Sequence, residues 1–372
     1  MSKQILQLCH GYDSPFLDVA RQYSALFQDS SFKVTTVFLT GVADSSVSAY
    51  LPNDEVIFLE NNSKELRGLK LKQIQQLKKI CVEHRFCYAI AHRYKSIYIA
   101  LHIKNLYVIG IHHAYGDYQR FGRRFFVSYY KKRLALLGVS NAIRDDIRQS
   151  IPRFPSGQIQ TLYNRIDYEQ LKQQQLSRSE AKNILKLEEK CFYFVNIGRL
   201  HPDKDQKTLI TAFKALKNNL GKNSKQLQLH IYGKGRLESR LQEQIVELGL
   251  TDMVILKGNY PCIANLLKAY DSFVLSSDHE PFGMVLLEAM TTGLPTISTA
   301  AGGAGEVVAD SGFLFDIGES NQLALLMEQV YNLDIVQKKH YKLLMEQQIK
   351  AHFSNQVAKE TFFKFDFVTQ LD

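Results

Sequence analysis

Residues 272–299 read SFVLSSDHEPFGMVLLEAMTTGLPTIST. SFVLSS is a short apolar run rich in β-formers, closed by the polar turn Asp278-His279-Glu280-Pro281. Residues 282–291 then carry Val285, Leu286, Ala289 and Met290 at helical spacing. A Gly-Leu-Pro turn follows, and PTIST supplies a second β-rich run. A strand, a helix and a strand in under thirty residues is the unit that builds a parallel sheet covered by helices.

The same alternation runs the length of the chain. KQILQLCH, FKVTTVFL, VIFLE, CYAIAH, LYVIGIHH and LALLGVS precede CFYFVNIG, LQLHIYG, MVILKG, SFVLSS and PTIST, with helical patterns between them. The pattern occurs twice, separated by a Gln-rich polar segment without strand character. The expectation is an α/β protein of two Rossmann-like, doubly wound parallel-sheet domains facing a deep cleft. The first spans residues 1–168 and the second 169–349. A helix at about 350–372, with Phe353, Phe362, Phe363 and Phe365, is expected to pack back on the first.

The chain has 372 residues, 45% apolar and 22% charged, with a formal net charge of +9. That excess calls for an anionic partner: a phosphate-rich substrate, an acidic membrane face or nucleic acid. Five cysteines, scattered and without a CxxC pair, suggest neither a disulfide framework nor a zinc site. The N-terminus lacks a signal-peptide pattern and the apolar runs are too short to span a bilayer, so the expected location is cytoplasmic, peripheral on the inner face of the membrane.

Ligands of doubly wound sheets bind just beyond the strands' carboxyl ends. In EPFGMVLLEAM, Gly283 lets a ligand approach the backbone, and the amides around Phe282, Gly283 and Met284 lack intrahelical acceptors. Glu280 before the helix and Glu288 within it lie roughly 7 to 8 Å apart along the axis. Taken singly, each is an ordinary helix-start or surface acid. Together they suit hydroxyls on either side of a phosphate, as in a nucleotide sugar.

The segment EPFGMVLLEAMTTGLPTISTAAGGAGEVV resembles the donor-binding signature of retaining GT-B glycosyltransferases of family 4, the glycosyl transferases group 1, through its E-x7-E pair, GLP turn and GG-x-x-E. The resemblance implies a nucleotide-sugar donor, a UDP-sugar first among them, with no resident cofactor and no metal. It makes Arg199 and Lys204, in GRLHPDKDQKTLI, the cations on the leaving diphosphate. It makes Glu280 the ligand of the sugar hydroxyls and Glu288 that of the ribose. The strand-terminal His112 falls near the reacting carbon, with His113 next in line. Gly11 in CHGYDSP matches a donor-facing loop with one glycine in place of two, and Gly233-Lys234-Gly235 falls near the base. Ser140 and Asn164 are assigned to architecture. Asp203-Lys204-Asp205 has the spacing of a metal motif, but the intervening lysine competes with a cation, and helix capping by Asp203 or Asp205 is preferred.

The stretch RFGRRFFVSYYKKRLALLG, residues 120–138, interleaves basic and aromatic side chains, which suits an acidic membrane or a phosphorylated glycolipid. Arg123, Arg124, Lys131 and Lys132, with Arg93 and Lys95 after another strand, are the acceptor or membrane candidates. The resemblance extends to lipopolysaccharide core transferases, whose acceptors are lipid-linked and phosphorylated. Synthesis of another polysaccharide or transfer to a neutral acceptor is the alternative. A non-catalytic nucleic-acid-binding protein would also explain the charge, but no RNA or DNA module signature appears, and no nucleic acid is expected.

Overall fold

Each apolar run in the sequence becomes a strand whose neighbours are parallel, because helices connect them and cover both faces. The computed structural model describes residues 3–13, 16–221 and 227–370. Its strands are β1 (Lys3–Cys9), β2 (Phe32–Thr40), β3 (Glu55–Asn61), β4 (Phe86–His92), β5 (Tyr107–His112), β6 (Leu134–Gly138), β7 (Ile159–Thr161), β8 (Phe192–Ile197), β9 (Leu227–Tyr232), β10 (Val254–Gly258), β11 (Ser272–Leu275), β12 (Thr296–Thr299) and β13 (Phe313–Phe315).

Two parallel sheets result, ordered β3-β2-β1-β4-β5-β6-β7 and β10-β9-β8-β11-β12-β13. In the opening segment, Phe273, Val274 and Leu275 pair with Thr296, Ile297 and Ser298. Every residue of β6 and β11 is buried, as expected of strands covered on both faces. β7 and β13 were not anticipated: IQT and FLF have three residues each, too few for a period to show.

The chain divides into two units, Met1–Arg165 with Asn355–Asp372, and Ile166–Ser354. In the first, Phe27 meets Phe362 and Phe363 edge-on at 5.6 and 5.8 Å, and Lys359 Nζ donates to the Gln28 carbonyl at 2.6 Å. The buried Arg165 donates from Nε to Asn355 Oδ1 at 3.1 Å, and its backbone N–H donates to Gln22 Oε1 at 3.0 Å. In the second, Phe194, Phe213, Leu229, Ile231, Val274 and Ile297 belong to the main apolar core.

Phe362 is fully buried, so its truncation removes both apolar area and ring contacts. Phe362→Ala is expected to cost about 3–5 kcal/mol, read as an earlier transition in chemical denaturation of the full chain.

Candidate functional site

In each sheet the strand order reverses once, between β1 and β4 and between β8 and β11. A reversal sends the flanking connections to opposite faces and leaves a crevice at the carboxyl edge. Gly11 and Arg93 in the first unit, and Arg199, Lys204 and Glu280 in the second, stand on the segments that leave these strands.

In the second unit, the loop after β8 carries Arg199 and Lys204, and the loop after β11 carries Glu280. Lys204 Nζ donates to Glu280 Oε2 at 2.6 Å, with both side chains mostly buried. The two loops are tied further by Ser276 Oγ donating to the Lys204 carbonyl at 3.0 Å and by the Asp278 N–H donating to the Asp203 carbonyl at 3.1 Å. Arg199 remains exposed, with a 3.3 Å bond to Asp203 Oδ2. Asp203 also bonds His201 Nδ1. Of the two aspartates, Asp205 is the cap: its carboxylate accepts from the Thr208 N–H at the start of the helix Gln206–Leu220.

The helix after Glu280 spans Met284–Thr292, beginning two residues later than the spacing suggested. Gly283 has φ of 98°, a conformation costly for any other residue, and it sets the helix start. Phe282 is buried, its ring 5.6 Å from that of Phe353. Its side chain is therefore an anchor for the loop. Glu288 sits half-buried on the helix.

Two glycines hold these loops at close approach. A Cβ on Gly303 would lie 2.4 Å from the Pro281 carbonyl oxygen, and the Gly303 N–H donates to the Glu280 carbonyl at 2.9 Å. The GG segment thus fixes the backbone that carries Glu280. At Gly233, φ is 136° and a Cβ would fall 2.0 Å from the Gly198 carbonyl oxygen. The Gly233-Lys234-Gly235 loop is therefore packed backbone to backbone on the loop of Arg199, while Lys234 is exposed.

In the first unit, Gly11 after β1, His92 and Arg93 at the end of β4, and His113 after β5 line one small cavity with Cys9, His10, Phe16 and Val19. His112 does not join them. It is fully buried; Nδ1 bonds Asp117 Oδ2 at 2.7 Å and Nε2 bonds the Tyr118 hydroxyl at 2.9 Å. Both nitrogens of His112, the strand-terminal candidate, thus have partners within the fold, while the adjacent His113 lines the cavity. Burial works to raise the Asp117 carboxyl, but the His112 bond and the charges of His112, Arg123 and Arg93 hold it below its ordinary value. His113 stacks on His92, with His92 Nδ1 and His113 Nε2 3.2 Å apart. Burial first, then His92, His112 and Arg93, push His113 well below the usual histidine range, so it faces the cavity as a neutral ring.

Ser140 caps the helix Asn141–Ser150 through the Ile143 N–H, and Asn164 is buried. Arg93 lies over the Phe16 ring at 4.7 Å, and Arg123 over Tyr94 at 4.4 Å. Arg124, Lys131 and Lys132 are exposed. Asp117 and Tyr118, the partners of His112, escaped the sequence reading because they stand in a turn with no motif around them. Arg67 and Lys70 escaped it too: only folding brings them within electrostatic range of Lys95.

This two-sheet arrangement is the GT-B class of fold. Anabaena HepE in complex with UDP and glucose superposes with a TM-score of 0.76 at 19% identity, over 96% of this chain and 97% of that one. Residues 177–347 match the model of the family described as glycosyl transferases group 1, so the second unit carries a domain of that family. N-acetyl-alpha-D-glucosaminyl L-malate synthase of Bacillus anthracis is 26% identical over 231 residues, 62% of this chain and 56% of that protein. The lipopolysaccharide core biosynthesis glycosyltransferase LpsE of Rhizobium meliloti is 31% identical over 138 residues, 37% of this chain and 38% of that protein. The chain spans about a third to just over half the length of the first curated relatives it matches.

The Lys204–Glu280 pair is mostly buried, so removing one partner strands the other. Lys204→Met is expected to cost about 3 kcal/mol, and the double variant Lys204→Met/Glu280→Gln to recover part of that loss, as a double-mutant cycle in denaturant would show.

Proposed function

We propose that this chain is a retaining glycosyltransferase that moves a sugar from a nucleotide-sugar donor, a UDP-sugar first among candidates, to a lipid-linked glycan acceptor in lipopolysaccharide core biosynthesis. The observation that carries the reading is the Lys204–Glu280 pair at the second sheet's reversal, directly before the helix start at Gly283 and Met284 and eight residues ahead of Glu288. The Lys204 cation and the backbone amides of the helix start match the diphosphate, Glu280 the sugar hydroxyls and Glu288 the ribose. The family match of residues 177–347 and the likeness to LpsE support it.

On this reading Arg199 and Lys204 stabilise charge growing on the diphosphate as the bond from the anomeric carbon to its oxygen breaks. The acceptor hydroxyl oxygen bonds that carbon from the same face, and its proton passes to the departing diphosphate oxygen. Glu280 orients the sugar and Glu288 the ribose. No step calls for a metal or a resident cofactor.

The membrane side of the proposal rests on the helix Phe121–Tyr129. It exposes Phe121 by 73%, Phe125 by 66% and Tyr129 by 73%, while Val127 is buried on the opposite face. Residues i, i+4 and i+8 form one stripe, here flanked by the exposed Arg124, Lys131 and Lys132. Aromatic rings bordered by cations suit the headgroup layer of an anionic bilayer. No helix among the described residues is long and apolar enough to cross a membrane.

Two measurements test the proposal. UDP at about a hundred times its dissociation constant is expected to stabilise the chain by about 2.7 kcal/mol, with the shift lost in Glu288→Ala; indifference of wild type to UDP, GDP, ADP and CMP would sink the donor assignment. Anionic vesicles should retain the wild type in flotation and release Phe121→Ser/Phe125→Ser/Tyr129→Ser.

A further inference from the structure

Two helices of the first unit, Leu71–Glu83 and Arg93–Leu101, begin without a capping side chain, and both begin among cations. Lys70 precedes the first; Arg93 and Lys95 stand in the first turn of the second. A helix N-terminus carries partial positive charge, so cations there are unfavourable without an anion. The backbone adds to the cost: Lys70 has φ of 55° and Arg93 of 69°, in the left-handed region that side chains avoid.

The two starts converge. Lys70 Nζ lies 4.9 Å from the ring centroid of Tyr98, and Arg123 reaches the neighbouring Tyr94 on the same helix at 4.4 Å. Arg67, Arg93 and Arg123 all act electrostatically on Lys95, and Lys95 and Arg123 on Lys70. Burial first, and then these like charges, hold both ammonium groups below their ordinary values.

The acids nearby already have partners, one of them Arg123 of the cluster itself. Asp117 serves His112 and Arg123, Glu65 pairs with Lys72, and Asp13 acts on His10. Arg67, Lys70, Lys72 and Glu65 line an open recess of about 390 Å³. In the small cavity beside Arg93, His92 is 5% exposed and its Nε2 has no hydrogen-bond partner, nor has His10 Nδ1. Burial pushes His92 down to about 3, and burial with Lys95 and Arg93 pushes His10 down to about 4. Neutral rings with an unanswered nitrogen suit hydroxyls next to a charged group.

We infer that Arg67, Lys70, Arg93, Lys95 and Arg123 form a binding site for a phosphate monoester on the acceptor glycan, with His10 and His92 beside it for sugar hydroxyls. The inference rests on the glycosyl-transfer reading for the word acceptor, and on the first unit alone for the site. A dianion at two uncapped helix starts offsets dipoles, like charges and strain together.

The test uses glucose 6-phosphate against glucose, at ionic strength matched with chloride, on the full chain, followed by thermal denaturation and calorimetry. Glucose 6-phosphate is expected to stabilise wild type and glucose not, and each of Lys70→Gln and Lys95→Gln should weaken binding roughly tenfold or more. Without ligand, the same variants should denature at or above the wild-type temperature, because each removes a like charge; a variant that merely misfolded would denature below it. Stabilisation by UDP but not by glucose 6-phosphate would overturn this site and leave the donor reading standing. Stabilisation by glucose 6-phosphate through Lys70 and Lys95, without any response to UDP, would establish the site and count against the transferase reading. Equal binding of glucose 6-phosphate by wild type and the Lys70→Gln/Lys95→Gln variant would overturn the inference.

Discussion

The reversal of strand order, once in each sheet, is the constraint from which the rest follows. Between β1 and β4, and again between β8 and β11, the chain turns from winding outward one way to winding outward the other. The loops leaving those strands cannot cover each other, so the carboxyl edge stays open where they part. Gly11 and Arg93 occupy the first such edge, and Lys204 and Glu280 the second. Sites at both edges need no separate explanation beyond the topology that made them.

What fills the edges was legible to different degrees. Eleven of the strands could be read from apolar runs, most plainly those such as β6 and β11 that are buried throughout and so must be apolar almost throughout. The three-residue β7 and β13 could not, having fewer residues than one test of periodicity requires. Motif spacing put Lys204 and Glu280 on loops after β8 and β11, but their ion pair at 2.6 Å joins residues 76 apart and shows only in the fold. The surroundings of the adjacent His112 and His113 were not legible, because the bonds of His112 to Asp117 and Tyr118 form only when the turn after β5 folds back.

Glycines illustrate why a motif can be recognised for one reason and kept for another. The loop of Gly233 suggested a nucleotide, yet the closest demand on that glycine is the Gly198 carbonyl at 2.0 Å from any Cβ. Likewise Gly303 keeps clear the Pro281 backbone that presents Glu280. In both cases the glycine acts on function through the loop it lets approach.

The basic cluster of the first unit belongs to a different category: Arg123 pairs with Asp117 and Lys70 Nζ donates to the Gly68 carbonyl at 2.7 Å, yet like charges still act on both Lys70 and Lys95. Packing explains Arg133, whose guanidinium answers the Ile103 and Leu106 carbonyls. It explains Lys182, buried against the Glu188 carbonyl and the Glu189 carboxylate. Lys70 and Arg93 have left-handed backbones, at a cost of roughly 1–2 kcal/mol each, and they stand with Lys95 at helix starts that repel them. Strain and like charge gathered at a carboxyl edge persist only when the surrounding fold can bear them. The buried sheet beneath, with Ile5, Leu6, Leu8, Ala89 and Ile90 all fully enclosed, supplies that margin. Stability is thus concentrated in the strands and relinquished at their ends, where a positive, partly desolvated surface has its use only once an anion arrives.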